Sequence, residues 1–341
     1  IIIDSDNVAM IGMGRGATIL KVSDSAAIQF DVLTLDTVSD CMVRDIEIDG
    51  NDANQAGVLI FGGIVTDDTT HAVIERVSVH DLYDGTGGTP KGIEIKGAAS
   101  SSVVVRDCRV FSISGVSYSV YITGGALHTV SNSRILDGAY ITAAECKIVN
   151  CYAEEGVEFR NGSERSQVRG CTIKNTTGSG IDIDTVSEIV AQDNVIQSPG
   201  LKGIIVDTAN RCVISGNWIE NAQHDGIELT SVDDSMIIGN RIGECSQAAD
   251  NTHAGIAVET GCNDLTIVGN QVRDGVAPLQ QRYGFYVAAA GPVGIYTVAN
   301  DFRIAGKTAS LSDAGGNTVH HGMAKSWAGP VAAALADFNN I

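Results

Sequence analysis

The chain has 341 residues, 44% of them hydrophobic and only 5% aromatic, with 39 glycines and 5 prolines. Its formal charge of −19 argues against nucleic acid or an acidic bilayer as a partner, since both are polyanionic surfaces that such a chain repels. No apolar run approaches the roughly 20 residues needed to cross a bilayer.

The first residues, IIIDSDNVAMIGMGRGATIL (1–20), read as strand, turn, strand, so the chain is expected to begin inside a fold with a segment upstream. The glycine-rich GMGRG (12–16) is not followed by a helical pattern. It predicts a turn rather than a phosphate cradle, which needs a helix N-terminus.

One phrase then recurs: an apolar residue, a small or polar one, Asn or Cys, any residue, then Ile or Val. It appears as VRDCRV (105–110), VSNSRI (130–135), IVNCYA (148–153), VRGCTI (168–173), AQDNVI (191–196), ISGNWI (214–219), IIGNRI (237–242) and IVGNQV (267–272). Its pivots include Cys171, Asn194, Asn217 and Asn240, spaced 23 residues apart. VRDIEI (43–48), IERVSV (74–79) and VANDFRI (298–304) are weaker copies. Self-similarity at such a period means stacked coils, one supersecondary unit per repeat.

A second phrase, G-I-x-I-x, accompanies it: GVLIF (57–61), GIEIK (92–96), GVEFR (156–160), GIDID (180–184), GIIVD (203–207), GIELT (226–230), GIAVE (255–259) and GFYVA (284–288). Period-2 alternation predicts a half-buried strand with its second and fourth residues inward. Each coil is expected to hold three short strands. Stacked Asn residues at the turn hydrogen-bond along the stack, which satisfies polar groups that are costly to bury alone.

The outward positions of this first strand gather acids, Glu158, Asp182, Asp184, Asp207, Glu228 and Glu259, with Arg160 among them. Coils stack about 4.8 Å apart, so these side chains are expected to share one face. Adjacent carboxylates repel unless a ligand, proton or cation relieves them. Three long connections, 80–91, 243–254 and 273–283, enter the same strand on both sides of short ones, which predicts a cleft. His224 precedes the sheet, while His253 and Tyr283 lie in the long connections and Tyr286 faces outward beyond them. These four are the expected substrate contacts beside Glu158, Arg160 and Glu259.

Paired carboxylates are the equipment of glycoside hydrolysis, one as proton donor and one as base or nucleophile. Asp182, Asp184 and Asp207 are the first candidates for the catalytic pair, and Glu228 the next. Same-column acids on adjacent coils, such as Glu158 and Asp182, are expected about 5 Å apart, and Asp182 and Glu228 roughly 9–10 Å. Spacing leaves retention and inversion both open. Arg160 and Lys96 are read as ion-pair partners of neighbouring acids, and as proton abstractors only in a lyase.

These phrases resemble the right-handed parallel β-helix of the pectin-lyase-like superfamily, which includes polysaccharide-degrading enzymes and phage tailspike-like proteins. The resemblance covers about residues 1–305 and implies an all-β solenoid of about 11 coils. Residues 306–341 are then a C-terminal cap, with PVAAALADF (330–338) as a short helix, because an open solenoid end exposes strand edges and core. The N-T-D, G-H-G and R-I-K motifs of the pectin-hydrolysing glycosidases do not occur, the Asp-Asp pairs at 67–68 and 233–234 stand without them and are not recognisable as their D-D motif, and the D-P-H of alginate epimerases is absent. What the resemblance implies is a polysaccharide partner, an extracellular or virion-associated setting and a homotrimer. The leading expectation is a glycoside hydrolase that requires no cofactor. The alternatives are a Ca²⁺-assisted lyase or epimerase and a non-catalytic glycan-binding shaft. Ca²⁺ takes six to eight oxygen ligands, some of which the acidic face can supply. The eight cysteines lack metal-ligand spacing, and Cys108, Cys151 and Cys171 are read as small buried substitutes for Asn at the turn. No resident metal is expected.

Overall fold

The computed structural model describes residues 1–23, 30–51, 60–82, 89–113, 118–273, 280–289, 292–302, 308–314 and 318–321. It groups into two units, Ile1–Thr172 and Ile173–Ile341. Among the described residues every regular element is a strand, and no helix is long and apolar enough to cross a membrane.

In each unit the chain winds through three parallel sheets, and most coils give one strand to each among the described residues. Parallel strands in one sheet require right-handed crossovers, and the fold is the expected right-handed parallel β-helix. The first sheet of the first unit runs Ile2–Ile3, Phe30–Asp36, Ile60–Asp67, Lys91–Lys96, Tyr118–Ile122, Ala139–Ile141 and Val157–Phe159. That of the second unit runs Ile181–Asp184, Ile204–Asn210, Ile227–Asp233, Ala254–Val258, Tyr283–Val287 and Ala309–Asp313. The G-I-x-I phrases supply most of these strands.

Alternation explains the burial. In Ile227–Asp233, Ile227 and Leu229 are fully buried while Glu228 and Thr230 are not. Ile181, Ile183, Ile204 and Val206 repeat this pattern in the preceding coils. Each such side chain contributes about 1.5–3 kcal/mol by leaving water, so a one-residue slip would reverse every face and is strongly disfavoured.

The turn pivots form a ladder in the second unit. The Asn194 backbone N–H and Nδ2 both donate to Asn217 Oδ1, at 3.0 and 2.9 Å. Asn217 donates likewise to Asn240, Asn240 to Asn270 and Asn270 to Asn300. The second Nδ2 hydrogen of Asn217, Asn240, Asn270 and Asn300 reaches a backbone carbonyl at 2.7–2.9 Å. Residues just before the pivots need positive φ: Gly216, Gly239 and Gly269 adopt 63–66°, a region where glycine meets no steric penalty.

The first unit builds the same corner from smaller groups. Cys108 N–H donates to Ser133 Oγ at 3.1 Å, and Cys151 N–H to Cys171 Sγ at 3.4 Å. All eight cysteines are free and buried, in line with the reading of Cys108, Cys151 and Cys171 as packing residues. The expected helix at 330–338 lies outside the described residues, as do residues 83–88 of connection 80–91 and 274–279 of connection 273–283.

Candidate active site on the first sheet of the second unit

The register sets out the acidic face. Asp182 pairs with Ile205, Ile205 with Glu228, Glu228 with Ala257, and Ala257 with Tyr286. In the parallel column Asp184 pairs with Asp207 and Asp207 with Thr230. Asp184 and Asp207 are therefore direct neighbours, whereas Asp182 and Glu228 stand two coils apart. Asp184 Oδ1 accepts the Thr185 hydroxyl at 2.7 Å, and Asp207 Oδ1 that of Thr208 at 2.9 Å.

Glu228 has the richest surroundings of the four expected catalytic acids. Lys202 Nζ donates to its Oε1 at 2.7 Å, with both side chains about one-fifth exposed or less. Burial raises the Glu228 pKa, Lys202 opposes that rise, and a hydrogen bond with Asp225 favours the protonated form. Glu259 enters one residue past strand Ala254–Val258. Its pKa is raised by burial and then by the charges of Glu228 and Asp225.

The long connection 243–254 closes over this point. Asp225 is buried at 7% exposure; its Oδ1 accepts the Ala254 N–H at 2.6 Å and its Oδ2 meets His253 Nδ1 at 3.1 Å. His253 stacks on His224 with ring centroids 4.4 Å apart and planes 12° from parallel. Burial lowers the His224 pKa and the neighbouring His253 lowers it further. Tyr283 and Tyr286 stack at 5.6 Å, and the Arg282 guanidinium lies 4.9 Å from the Tyr283 ring centre. Asp225, His253, Glu259, Arg282, Tyr283 and Tyr286 line a hollow of about 200 Å³ with Thr252 and Ala254.

Nine of the expected site residues thus belong to the second unit, and His224, His253, Glu228, Glu259, Tyr283 and Tyr286 lie around one point of its first sheet. Asp182, Asp184 and Asp207 extend the face over the preceding coils. Glu158 and Arg160 belong to the first unit, where Arg160 Nη2 pairs with Glu158 Oε2 at 2.9 Å. Lys96 likewise pairs with Asp67, at 3.7 Å.

Sequence reasoning missed Lys202, Asp225 and Arg282. Lys202 and Asp225 immediately precede the glycine of a G-I-x-I phrase, in LKGIIVD and HDGIELT. That position sits at the mouth of the strand, and its side chain reaches the outward third residue of its own coil or the next. Larger hollows exist in the first unit. One of about 580 Å³ is floored by Gly97, Thr123, Gly124 and Thr142 and has no titratable lining residue. On the third sheet of that unit Asp49, His80 and Asp81 offer donor atoms within 4.8 Å of one another, but Lys21 already pairs with Asp49 at 2.9 Å.

Residues 135–321 match the family model described as right handed beta helix region. Among solved structures the chain is similar to the A-module of the Azotobacter vinelandii mannuronan C-5 epimerase AlgE6, at 16% identity and a TM-score of 0.63 over 94% of this chain and 84% of that one. It is similar to tailspike protein 3 of bacteriophage CBA120, at 14% identity and a TM-score of 0.61 over 95% of this chain and 52% of that one. The AlgE4 A-module of Azotobacter vinelandii is also similar, with a TM-score of 0.56 at 16% identity over 94% and 85%. At these identities the likeness is one of fold. No curated protein sequence matches the chain.

Proposed function

This chain belongs to the right-handed β-helix family, and we propose that it is a polysaccharide-active enzyme that hydrolyses glycosidic bonds on the first-sheet face of its second unit. The observation that carries the reading is Glu228: a half-buried carboxyl with a raised pKa, hydrogen-bonded to Lys202 and next to the Asp225 carboxyl, beside an aromatic-walled hollow. A carboxyl whose protonated form is favoured by burial is what a glycosidase needs as proton donor to the leaving oxygen.

Asp207 is the partner we assign as base. It lies one coil before Glu228 and two residues further along the strand, which puts the two backbones about 8 Å apart. That separation leaves room for a water between the carboxylates, as inversion requires. Glu259 stands at the mirror position, but burial and neighbouring negative charge favour its protonated form, which makes it a poor base. Asp182 and Asp184 extend the face and would hydrogen-bond sugar units next to the cleaved one. His224, His253, Tyr283, Tyr286 and Arg282 would hold the sugar at the hollow. Glu158 and Arg160 are further glycan contacts on the first unit.

The reaction so written uses no cofactor. A Ca²⁺-assisted elimination or epimerisation is the second reading, and the adjacency of Asp184 and Asp207 favours it, since two carboxylates about 5 Å apart can share a cation. The setting proposed is extracellular or virion-associated, where polysaccharide is encountered. The test is turnover of a polysaccharide that the parent protein cleaves. Glu228→Gln and Asp207→Asn should each reduce it by about 10²–10⁴-fold, the usual contribution of a general acid or base. Full turnover in both variants would remove the assignment.

A further inference from the structure

The first sheet of the first unit carries a column unlike the acidic one. Its register reads Glu94, Tyr121, Tyr140, Glu158, one residue per coil. Tyr118 joins it from the neighbouring column, opposite Lys91. Tyr121 and Tyr140 stack at 5.0 Å and 12°, and Tyr118 leans on both at 5.7 and 5.1 Å. Three of the protein's eight tyrosines therefore cluster, half-buried, on the outward side of one sheet, where packing of the core does not require them.

The Tyr121 ring is engaged by two neighbours. Tyr121 has Tyr140 as its stacking partner and the Lys91 ammonium 4.7 Å from its centre. What the cluster offers a ligand includes a row of ring edges and phenol hydroxyls. Ring edges carry the positive end of the aromatic quadrupole, and phenol hydroxyls both donate and accept hydrogen bonds. Both suit the oxygen-rich surface of a sugar. Mutual stacking fixes the rings, so little side-chain entropy is left to lose on binding.

The charges at the ends of the row are internally balanced. Lys91 pairs with Glu94 at 3.5 Å and Arg160 with Glu158 at 2.9 Å. The Tyr118 hydroxyl also donates to Glu158, at 3.4 Å. Two cations against two carboxylates give no net attraction for an anionic sugar.

We infer that the Glu94–Tyr121–Tyr140–Glu158 column, with Tyr118, is a binding site for a neutral glycan chain, separate from the hydrolytic face of the second unit. The phenol hydroxyls bond sugar hydroxyls along the coil axis, and the two Glu–cation pairs bond them at either end. The inference takes only its ligand class from the polysaccharide reading and does not require cleavage.

The test is affinity electrophoresis of the whole protein carrying Glu228→Gln, through gels containing galactomannan, glucomannan or dextran, and through gels containing alginate or polygalacturonate. At least one neutral glycan should retard the protein, and the anionic ones should not. Adding Tyr121→Phe and Tyr140→Phe keeps the stack and removes two hydroxyls, which should weaken binding roughly tenfold with the melting temperature unchanged. Tyr121→Ala with Tyr140→Ala should weaken the retardation further than the Phe pair does, leaving only what the hydrolytic face itself contributes. Retardation unchanged in both pairs, retardation by anionic glycans alone, or none by any neutral glycan overturns the site. So does a change in oligomeric mass with binding intact, which would make the column a contact between copies. Absence of cleavage by the parent protein bears on the hydrolytic face alone.

Discussion

Lys202 Nζ lies 2.7 Å from Glu228 Oε1, one coil away on the same sheet face. The pair opposes two effects on one carboxyl. Burial drives Glu228 toward its protonated form and the ammonium draws it back, with burial prevailing. A general acid works only while protonated, so activity should fall as pH rises through the Glu228 pKa. Lys202→Met removes the opposing charge and should move this basic limb to higher pH, and Lys202→Arg should leave it near the parent's. A pH profile of kcat/KM on a cleaved glycan reads the shift.

The same carboxyl makes a stability prediction. Its folded pKa lies above the ordinary 4.5, so the native state holds the proton over a range where the unfolded chain has lost it. The stability contributed is full below about 4.5 and is lost as pH rises through the folded value. Glu228→Gln abolishes that loss. Its melting temperature relative to the parent should therefore rise between acid and neutral pH, as thermal unfolding in matched buffers will show.

Asn240 occupies the middle of the ladder. It accepts from the Asn217 backbone and side chain and donates to Ile214 O and Asn270 Oδ1. Asn240→Ala strands these groups in a buried corner, where one unpaired group costs about 1–3 kcal/mol. A loss of about 3 kcal/mol in urea unfolding is expected. Asn240→Ser, which keeps an acceptor as Ser133 does for Cys108, should lose less.

Asp225 fastens connection 243–254 through His253 and the Ala254 N–H. Asp225→Ala leaves that N–H buried without its acceptor, at a cost of about 2 kcal/mol. Amide exchange over residues 246–254 should accelerate, while exchange in the Asn ladder should not.

Burial pushes the thiols of Cys108, Cys212 and Cys262 up to about 11 and that of Cys146 up to about 12. Thiolate is the reactive form. These four should resist a thiol reagent in the native protein and react on unfolding.

The coils were legible because one feature, period-2 alternation ending at a polar pivot, is repeated in the sequence and enforced by burial. Ile181, Ile204 and Ile227 all fall where the G-I-x-I phrase puts them, and Asn217 and Asn240 stack as their spacing implies. The surroundings of Glu228 were less legible. The outward positions of a strand follow from its phase, but Lys202 and Asp225 lie before the strand, where no period applies. His253 could be placed in a long connection, yet its contact with His224 depends on how that connection folds back through Asp225. Polar closure of this kind is tertiary, and no local pattern encodes it.

Hydrolysis by acid–base carboxylates has a product signature of its own. It is tested most directly by digesting a panel of polysaccharides with the parent protein and with Glu228→Gln, in Ca²⁺ and in chelator, and following the products by chromatography and ultraviolet absorbance. Saturated fragments with new reducing ends, formed equally in chelator and lost with Glu228→Gln, are expected. Unsaturated, ultraviolet-absorbing products that require Ca²⁺, or cleavage undiminished in Glu228→Gln, would contradict it.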